Sequence, residues 1–512
     1  MLLGKHDVPG LRRLIAAALH RGISAHHLVL RLQQAIDGVY RSHGRFNEWD
    51  FDIAFLVKAI GGPRLLYALQ KSYGFASTMT VQRSTKVPRL LPSIGIPSAD
   101  EMCANMTAFL DPSVKPPPPP SPSGILPGNT LMFDGIAIES KCRYCPRRDS
   151  VIGLCQEHSQ NVNPRVTSFQ KIENIRNALF DATENDKKVC FGSDATVVAL
   201  APYACSDHYG PIPLIASPSD KTEKGMWLAG WIQSLIDEYG IHTYGKILHD
   251  PLYAIASDGD SSFRKARQII CIKVPIDPMS ELGKIICHLL GMNTWTSKEG
   301  ITGTCDPKHV FKRIFPVDLY LLFMLNFCSG FGTLLRSTEG FMVDDKLITA
   351  NDITTQIAAL PDMTEADANS LLYPTDRQNV PKAVSLIQHL VQVHDLPVPS
   401  DQSKRNSQKK INFVSKMLGS FVLPFITVTM TLSTQLESLS IYSHLAAATW
   451  IKHGLACLTG ALYADSQSIV KNTFITVTRL QVIDKALEFY LLMEGTDRLE
   501  NLFCDCRTQD HS

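Results

Sequence analysis

Two aspartates stand in apolar runs, one inside its run and one at the end. Asp134 lies inside LMFDGIAI (131–138), and Asp258 closes PLYAIASDGD (251–260). Short apolar runs of this kind read as buried strands. If the two strands are parallel neighbours, carboxylates 124 positions apart in sequence meet at one sheet end. Paired carboxylates of this sort hold divalent ions, and two such ions about 4 Å apart activate an attacking oxygen and stabilise a leaving one in phosphodiester chemistry. Mg²⁺ or Mn²⁺ suits an oxygen-only site of two or three acids with waters. A strand-end Asp is also often merely solvated or capping. Asp260 competes with Asp258, but it directly precedes SSFRKARQ (261–268) and is placed to cap a helix there, so Asp258 is preferred.

A third acid is offered by MEGTDRLENLFCDCRTQ (493–509). On a helix, Asp497 and Glu500 are three apart and share a face. Leu499, Leu502 and Phe503 form an apolar set able to dock that helix on a core. The same spacing also describes an ordinary helix start, with Thr496 capping and acids in the first turn.

A separate pattern follows the first strand. Cys142, Cys145, Cys155 and His158 are spaced C-x2-C-x9-C-x2-H. Three thiolates and an imidazole at that spacing predict a closed, tetrahedral, structural Zn²⁺, with no open position for catalysis. Arg143, Arg147 and Arg148 ride on this module and could touch nucleic-acid phosphates. The thirteen cysteines show no secreted-framework spacing, and MLLGKHDVPGLRRLIAAALHRG lacks an apolar h-region with a small-residue cleavage site. Both point to a reducing intracellular compartment without disulfides. KKVC (187–190) and the CDC of 504–506 have no partners at metal spacing.

The elements that must position these groups follow from periodicity. Residues 1–46 read as helical. Residues 47–90 read as a helix at 50–60, a Gly-Gly-Pro break, a helix at 63–72 and a short helix capped by Ser77. That suits a helix-turn-helix, with Lys71, Thr80, Gln82 and Arg83 toward DNA, or a plain helical bundle. The first ninety residues hold thirteen Lys/Arg against five Asp/Glu, a balance of +8 on a chain of net charge +1, so a polyanion contact is expected there. Residues 91–130 read as a linker, stiffened by five consecutive prolines in VKPPPPPSPSGILPGNT.

Beyond it come strands at 131–138, 196–204 and 212–219, the last two joined by a CSDHYG turn. A helix at 223–240 ending at Gly240 follows, then a strand at 251–260, a serine-capped helix at 261–274 and a short strand before DPKHVFKR. That order is an RNase H-like α/β core with a mixed five-stranded sheet. The core comprises 131–141 and 191–313, interrupted by the zinc-binding insert 142–190. Residues 331–485 read as a large helical insertion and 486–512 as the closing helix. The apolar segment 314–330 contains Asp318 and is too short for a membrane span. It is either a buried helix or an in-frame retained intron. LGSFVLPFITVTMTLS (418–433) reads as buried helix. No membrane association is expected.

These segments together resemble P-element-like transposases, the group related to the THAP-type transposase of vertebrates, and fungal members in particular. RLLYALQKSYGFASTMTVQR (64–83), LMFDGIAI, AIASDGDSSFRKA with DPKHVFKR, and GTDRLENLF carry the resemblance in that order across most of residues 60–505. The resemblance implies a DDE/D-type DNA transferase that cleaves transposon ends and joins a 3′-hydroxyl to target DNA, acting in the nucleus as a homo-oligomer. It assigns Asp134, Asp258 and Glu500 to the catalytic metal, Asp497 as companion acid, and Asp306, His309 and Lys312 to a middle element of unassigned role. It also brings GTP, bound by the helical insertion in the P-element, though residues 340–480 show no glycine-rich phosphate loop. The chain departs from the pattern in three places. It shows no THAP module, it stops at Ser512 soon after the closing acids, and 314–330 splits a helix that the family keeps continuous. A catalytically inactive relic or domesticated DNA-binding protein is the alternative.

Overall fold

The computed structural model describes residues 46, 48–84, 88–114, 127–180, 189–203, 210–312, 331–335, 340–375, 379–485 and 487–510, with isolated positions between 16 and 30. The segment 314–330, most of 1–46, the proline run and the CSDHYG turn lie outside the described residues. The chain divides into two compact units, Met1–Pro88 with Asp505–Ser512, and Arg89–Cys504.

In the first unit, helix α1 (Glu48–Tyr73) is broken at Gly62, whose φ is 75°, directly before Pro63. Glycine tolerates that backbone and proline removes a helical donor, so the Gly-Gly-Pro break is where the sequence predicts it. Helix α2 (Thr78–Ser84) starts at the expected cap, with the Thr80 amide donating to Ser77 Oγ at 3.1 Å. Ala54, Leu66, Ala76 and Val81 form the small core. Lys71, Gln82 and Arg83 are exposed, with the Lys71 ammonium 5.6 Å from the Tyr67 ring. The Thr80 hydroxyl is engaged with Ser77 Oγ at 2.7 Å.

The second unit is organised by one five-stranded sheet. Its strands are β1 (Asn129–Ala137), β2 (Asp194–Pro202), β3 (Ile212–Ser219), β4 (Leu252–Ser257) and β5 (Thr302–Cys305), in the spatial order β3-β2-β1-β4-β5. β1 pairs antiparallel with β2 and parallel with β4, and β4 pairs parallel with β5. This is the mixed sheet that the element order predicts.

Alternation along β1 sorts its side chains between two layers. Leu131 and Phe133 face a core built with helices α3 (Ala99–Leu110), α4 (Gly225–Ile241) and α5 (Ser261–Cys271). Met132 faces the opposite layer, with Leu499 and Phe503 of the closing helix Asp497–Asp510. Leu499, Leu502 and Phe503 thus dock that helix on the sheet.

Two sequence readings differ from the structure. Helix α3 occupies part of the expected linker 91–130, and its Met102, Met106 and Leu110 are fully buried. The signal was present: Ser98 and Glu101 form a capping box. Gly240 does not end α4, which runs to Ile241 and stops where His242 turns extended. Of the two caps the sequence offered for α5, a serine and Asp260, it is Asp260 that caps it, accepting from Ser262 N at 2.8 Å and Phe263 N at 3.4 Å.

Residues 341–483 form a hairpin (Phe341–Val343 with Lys346–Ile348) and then helices, the longest Gln402–Ile426, Leu432–His453 and Gly460–Ile483. They share one large core, with Phe331, Phe421 and Tyr442 in edge-on and tilted contact at its centre. The buried Asp465 joins this layer to the sheet layer, accepting from Arg264 Nε and Arg267 Nη2, each at 2.9 Å. Among the described residues no helix is long and apolar enough to cross a membrane.

Candidate active site

The pleat of β1 places Asp134 on the same face as Met132, the face covered by the closing helix. The parallel register Phe133↔Ser257 brings the next residues, Asp134 and Asp258, side by side. Asp134 is partly buried, and its carboxyl is pushed up to about 7, first by burial and then by the charge of Asp258. Glu500 pushes in the same direction, whereas the Gly135 amide, 2.7 Å from Asp134 Oδ1, and His309 oppose it. Three acids and one histidine therefore feel one another at the C-terminal ends of β1 and β4. Asp258 is held by the Asp260 amide at 2.9 Å, while Asp260 itself caps α5.

The DPKH stretch builds the second wall. The Asp306 amide donates to Ser257 O at 3.0 Å, extending the β4–β5 ladder by one rung. Asp306 is fully buried. Its Oδ1 accepts the Lys308 and His309 amides at 2.7 and 3.4 Å, which starts the short helix Pro307–Lys312. Its Oδ2 accepts the Thr496 amide at 2.9 Å and the Thr496 hydroxyl at 3.1 Å. One carboxylate thus joins the strand end, the helix bearing His309 and the first residue before the closing helix. Gly495 permits the approach: its φ is 82°, and a Cβ there would meet Pro307 Cδ at 2.7 Å and Asp306 Cα at 2.8 Å.

From that clasp the charged groups converge. His309 Nε2 lies 3.5 Å from Glu500 Oε1, and the Lys308 ammonium pairs with Asp497 and lies 3.9 Å from Glu500 Oε2. Phe311, on the same short helix, is buried against Phe421 at 6.0 Å, which ties this wall to the helical insertion. Lys312 ends that helix, and its side chain lies outside the described residues. Lys308 and Gly495 have structural parts that sequence spacing did not reveal, and Thr496, read from the sequence only as a helix cap, is also bound to Asp306. The Asp306–Thr496 bond joins residues 190 apart, and no local pattern announces it.

Beneath the site lies a second acid. Glu494 is fully buried and accepts from Thr304 Oγ1 at 3.0 Å and from Asn472 Nδ2 at 2.8 Å. Burial pushes its carboxyl up to about 7.

The cysteine module is arranged differently from the four-ligand expectation. Cys142 precedes and Cys145 ends the strand Arg143–Cys145, which pairs with Ser150–Ile152. Cys142 packs into an apolar cluster with Leu154, Ile175 and Val189, and burial raises its thiol to about 11. Neither joins Cys155 and His158. Among the described residues, the group of three or more His, Cys, Asp or Glu with all donor atoms within 4.8 Å of one another is Cys155, His158 and Asp220. Asp134, Asp258 and Glu500 do not close to that limit as a trio. Glu500 leans instead on His309 and Lys308, which relieves repulsion among three carboxylates. Of the three arginines on the module, Arg148 is committed inward, to Glu101 at 2.5 Å and Pro92 O at 2.9 Å. Arg143 and Arg147 remain exposed.

No family model matches the sequence, and no curated protein matches it in sequence. A solved structure does match in three dimensions: the Drosophila P element transposase strand transfer complex, at a TM-score of 0.54 and 12% identity, over 94% of this chain and 93% of that one. The chain shares the fold of a P element transposase. At 12% identity the likeness concerns fold alone, yet it covers nearly the whole of both chains.

Proposed function

We propose that the chain is a transposon-derived DNA transferase that cleaves DNA strands at transposon ends and joins the freed 3′-hydroxyl to target DNA. The observation that carries this reading is that Asp134 stands beside Asp258 at adjacent parallel strand ends and feels the charge of Glu500 on the docked closing helix. The near full-length fold likeness supports it. The donors are carboxylate oxygens, which fit Mg²⁺ or Mn²⁺. Asp134 and Asp258 would hold such an ion with Glu500. When bound, it would supply activation of the attacking oxygen and stabilisation of the leaving one. The chain's own residues do the positioning. Asp306 fixes the closing helix through Thr496. His309 and Lys308 hold Glu500 and Asp497 in place against the repulsion of the aspartates. Exposed Lys71, Arg83, Arg143 and Arg147 are the cations this reading directs at DNA phosphates, with Gln82 as a neutral hydrogen-bonding partner, and the enzyme acts as an oligomer in the nucleus.

A guanine nucleotide is not part of the reading. A cavity of about 540 Å³ lies against α5 and the two helices Leu432–His453 and Gly460–Ile483. Its Arg264 and Arg267 are already paired with Asp465, and the described residues of the insertion contain no glycine-rich phosphate loop. The ion pairs that hold Glu500 favour a second reading, a protein that binds transposon-end DNA without cutting it.

A strand-transfer assay separates the two. Terminal-repeat DNA with a pre-cleaved 3′-hydroxyl end is incubated with plasmid target and Mg²⁺ or Mn²⁺. Joined product from the wild type and none from Glu500→Gln supports the transferase. Retarded DNA with no joined product from either protein supports the binding-only reading.

A further inference from the structure

The strongest cluster outside the acid site is built by the turn that follows the cysteine hairpin. The Cys155 amide donates to Cys190 O at 2.8 Å, the Gln156 amide to Pro218 O at 2.9 Å, and the Ser159 amide to Cys155 O at 2.9 Å. Three backbone bonds therefore fix Cys155 and His158 before any ligand arrives. Asp220, the residue after β3, is oriented by the Thr222 amide at 3.0 Å and the Thr222 hydroxyl at 2.5 Å, both on Oδ1. That leaves Oδ2 facing His158 Nδ1 at 3.5 Å, beyond ordinary hydrogen-bond length. Cys155 is fully buried, and His158 Nδ1 is a buried atom without a hydrogen-bond partner. A buried ring nitrogen left unpaired is costly, and a metal ion is one way to satisfy it.

We propose that Cys155 Sγ, His158 Nδ1 and an Asp220 carboxylate oxygen bind one zinc-class ion, without Cys142 or Cys145. The three donor atoms lie within 4.8 Å of one another, near enough that small side-chain adjustments bring all three onto a single tetrahedral ion. A thiolate and an imidazole select Zn²⁺-like metals over Mg²⁺ or Ca²⁺. Three protein ligands leave a fourth position for water or an incoming group. The ion clips the insert to the sheet: two ligands come from the insert and the third from the end of edge strand β3. His158 also lines a cavity of about 400 Å³ with Glu223, Trp227 and Trp231, so the clip borders a wall of α4.

The test is cobalt substitution in the full-length chain. Co²⁺ bound through a thiolate shows sulfur-to-metal charge-transfer absorption, which oxygen-only ions at the acid site do not. The expected result is one equivalent of Co²⁺ with that absorption, displaced by Zn²⁺. Cys155→Ser abolishes it, and Asp220→Asn weakens Co²⁺ affinity tenfold or more. Cys142→Ser and Cys145→Ser leave both unchanged. If Cys155→Ser does not fold, His158→Gln and Asp220→Asn on the partly exposed side of the cluster give the same reading. No charge-transfer absorption in the wild type overturns the proposal. So does its loss in Cys142→Ser or Cys145→Ser, which points to the four-ligand arrangement instead.

Discussion

Replacing Asp306 tests how the closing helix is held. The buried carboxylate satisfies four donors: the Lys308 and His309 amides on Oδ1, and the Thr496 amide and hydroxyl on Oδ2. Asp306→Ala removes a helix cap, at about 1 kcal/mol. It also strands two Thr496 donors in a fully buried position, at about 1–3 kcal/mol for each donor left unsatisfied. The hydroxyl can turn to another acceptor but the amide cannot, so the loss should be about 2–4 kcal/mol. Asp306→Asn keeps an acceptor for the helix amides but opposes the Thr496 amide with an NH₂ group. It should cost less, about 1–2 kcal/mol. Urea unfolding followed by tryptophan fluorescence in a Trp49→Phe background reads this unit, because the other four tryptophans, Trp227, Trp231, Trp295 and Trp450, lie within residues 89–504. On the transferase reading, both variants lose DNA nicking more than DNA binding, since Glu500 begins one turn past Thr496. A cost under about 1 kcal/mol for Asp306→Ala, or a larger cost for Asn than for Ala, refutes the clasp.

Three further outcomes follow from the same geometry. Gly495→Ala should destabilise by about 2–4 kcal/mol in the same urea experiment. It forces a Cβ into a φ of 82° and to within 2.8 Å of Asp306 Cα. Leu499→Ala or Phe503→Ala empties the contact with Met132, Val197 and Ala256, and each should cost about 2–5 kcal/mol with a parallel fall in nicking. Glu494 supplies a pH dependence. Its carboxyl is raised from 4.5 to about 7 by burial, so between those values the unfolded chain gives up a proton that the folded chain keeps. Its contribution is therefore fully present below about pH 4.5, and stability falls by about 3 kcal/mol as pH rises to 7. Glu494→Gln should flatten that part of the stability–pH curve, measured by urea midpoints from pH 4.5 to 8.

Much of the architecture was legible because it rests on short-range patterns. Period-two alternation in LMFDGIAI separates Phe133 from Asp134, and the same alternation later decides which face carries the acid. Element order alone predicts a β1–β4 neighbourhood, which the register Phe133↔Ser257 realises. Helix α3 was legible in principle through its Ser98–Glu101 capping box, but the adjacent proline run drew the whole stretch into a linker. The rest depends on contacts between distant residues. Asp306 with Thr496, Lys308 with Asp497, and Cys155 with Asp220 carry no spacing signal. In the cysteine module, C-x2-C-x9-C-x2-H suggests one tetrahedron, whereas the structure packs Cys142 against an apolar cluster and groups Cys155 and His158 with Asp220.

The most direct measurement of the central claim is Mg²⁺- or Mn²⁺-dependent nicking of terminal-repeat DNA by the wild type, Asp134→Asn, Asp258→Asn and Glu500→Gln, with DNA binding measured in parallel. The account predicts metal-dependent nicking by the wild type, and loss of nicking with retained binding in each variant. Nicking by Asp134→Asn at the wild-type rate would contradict it.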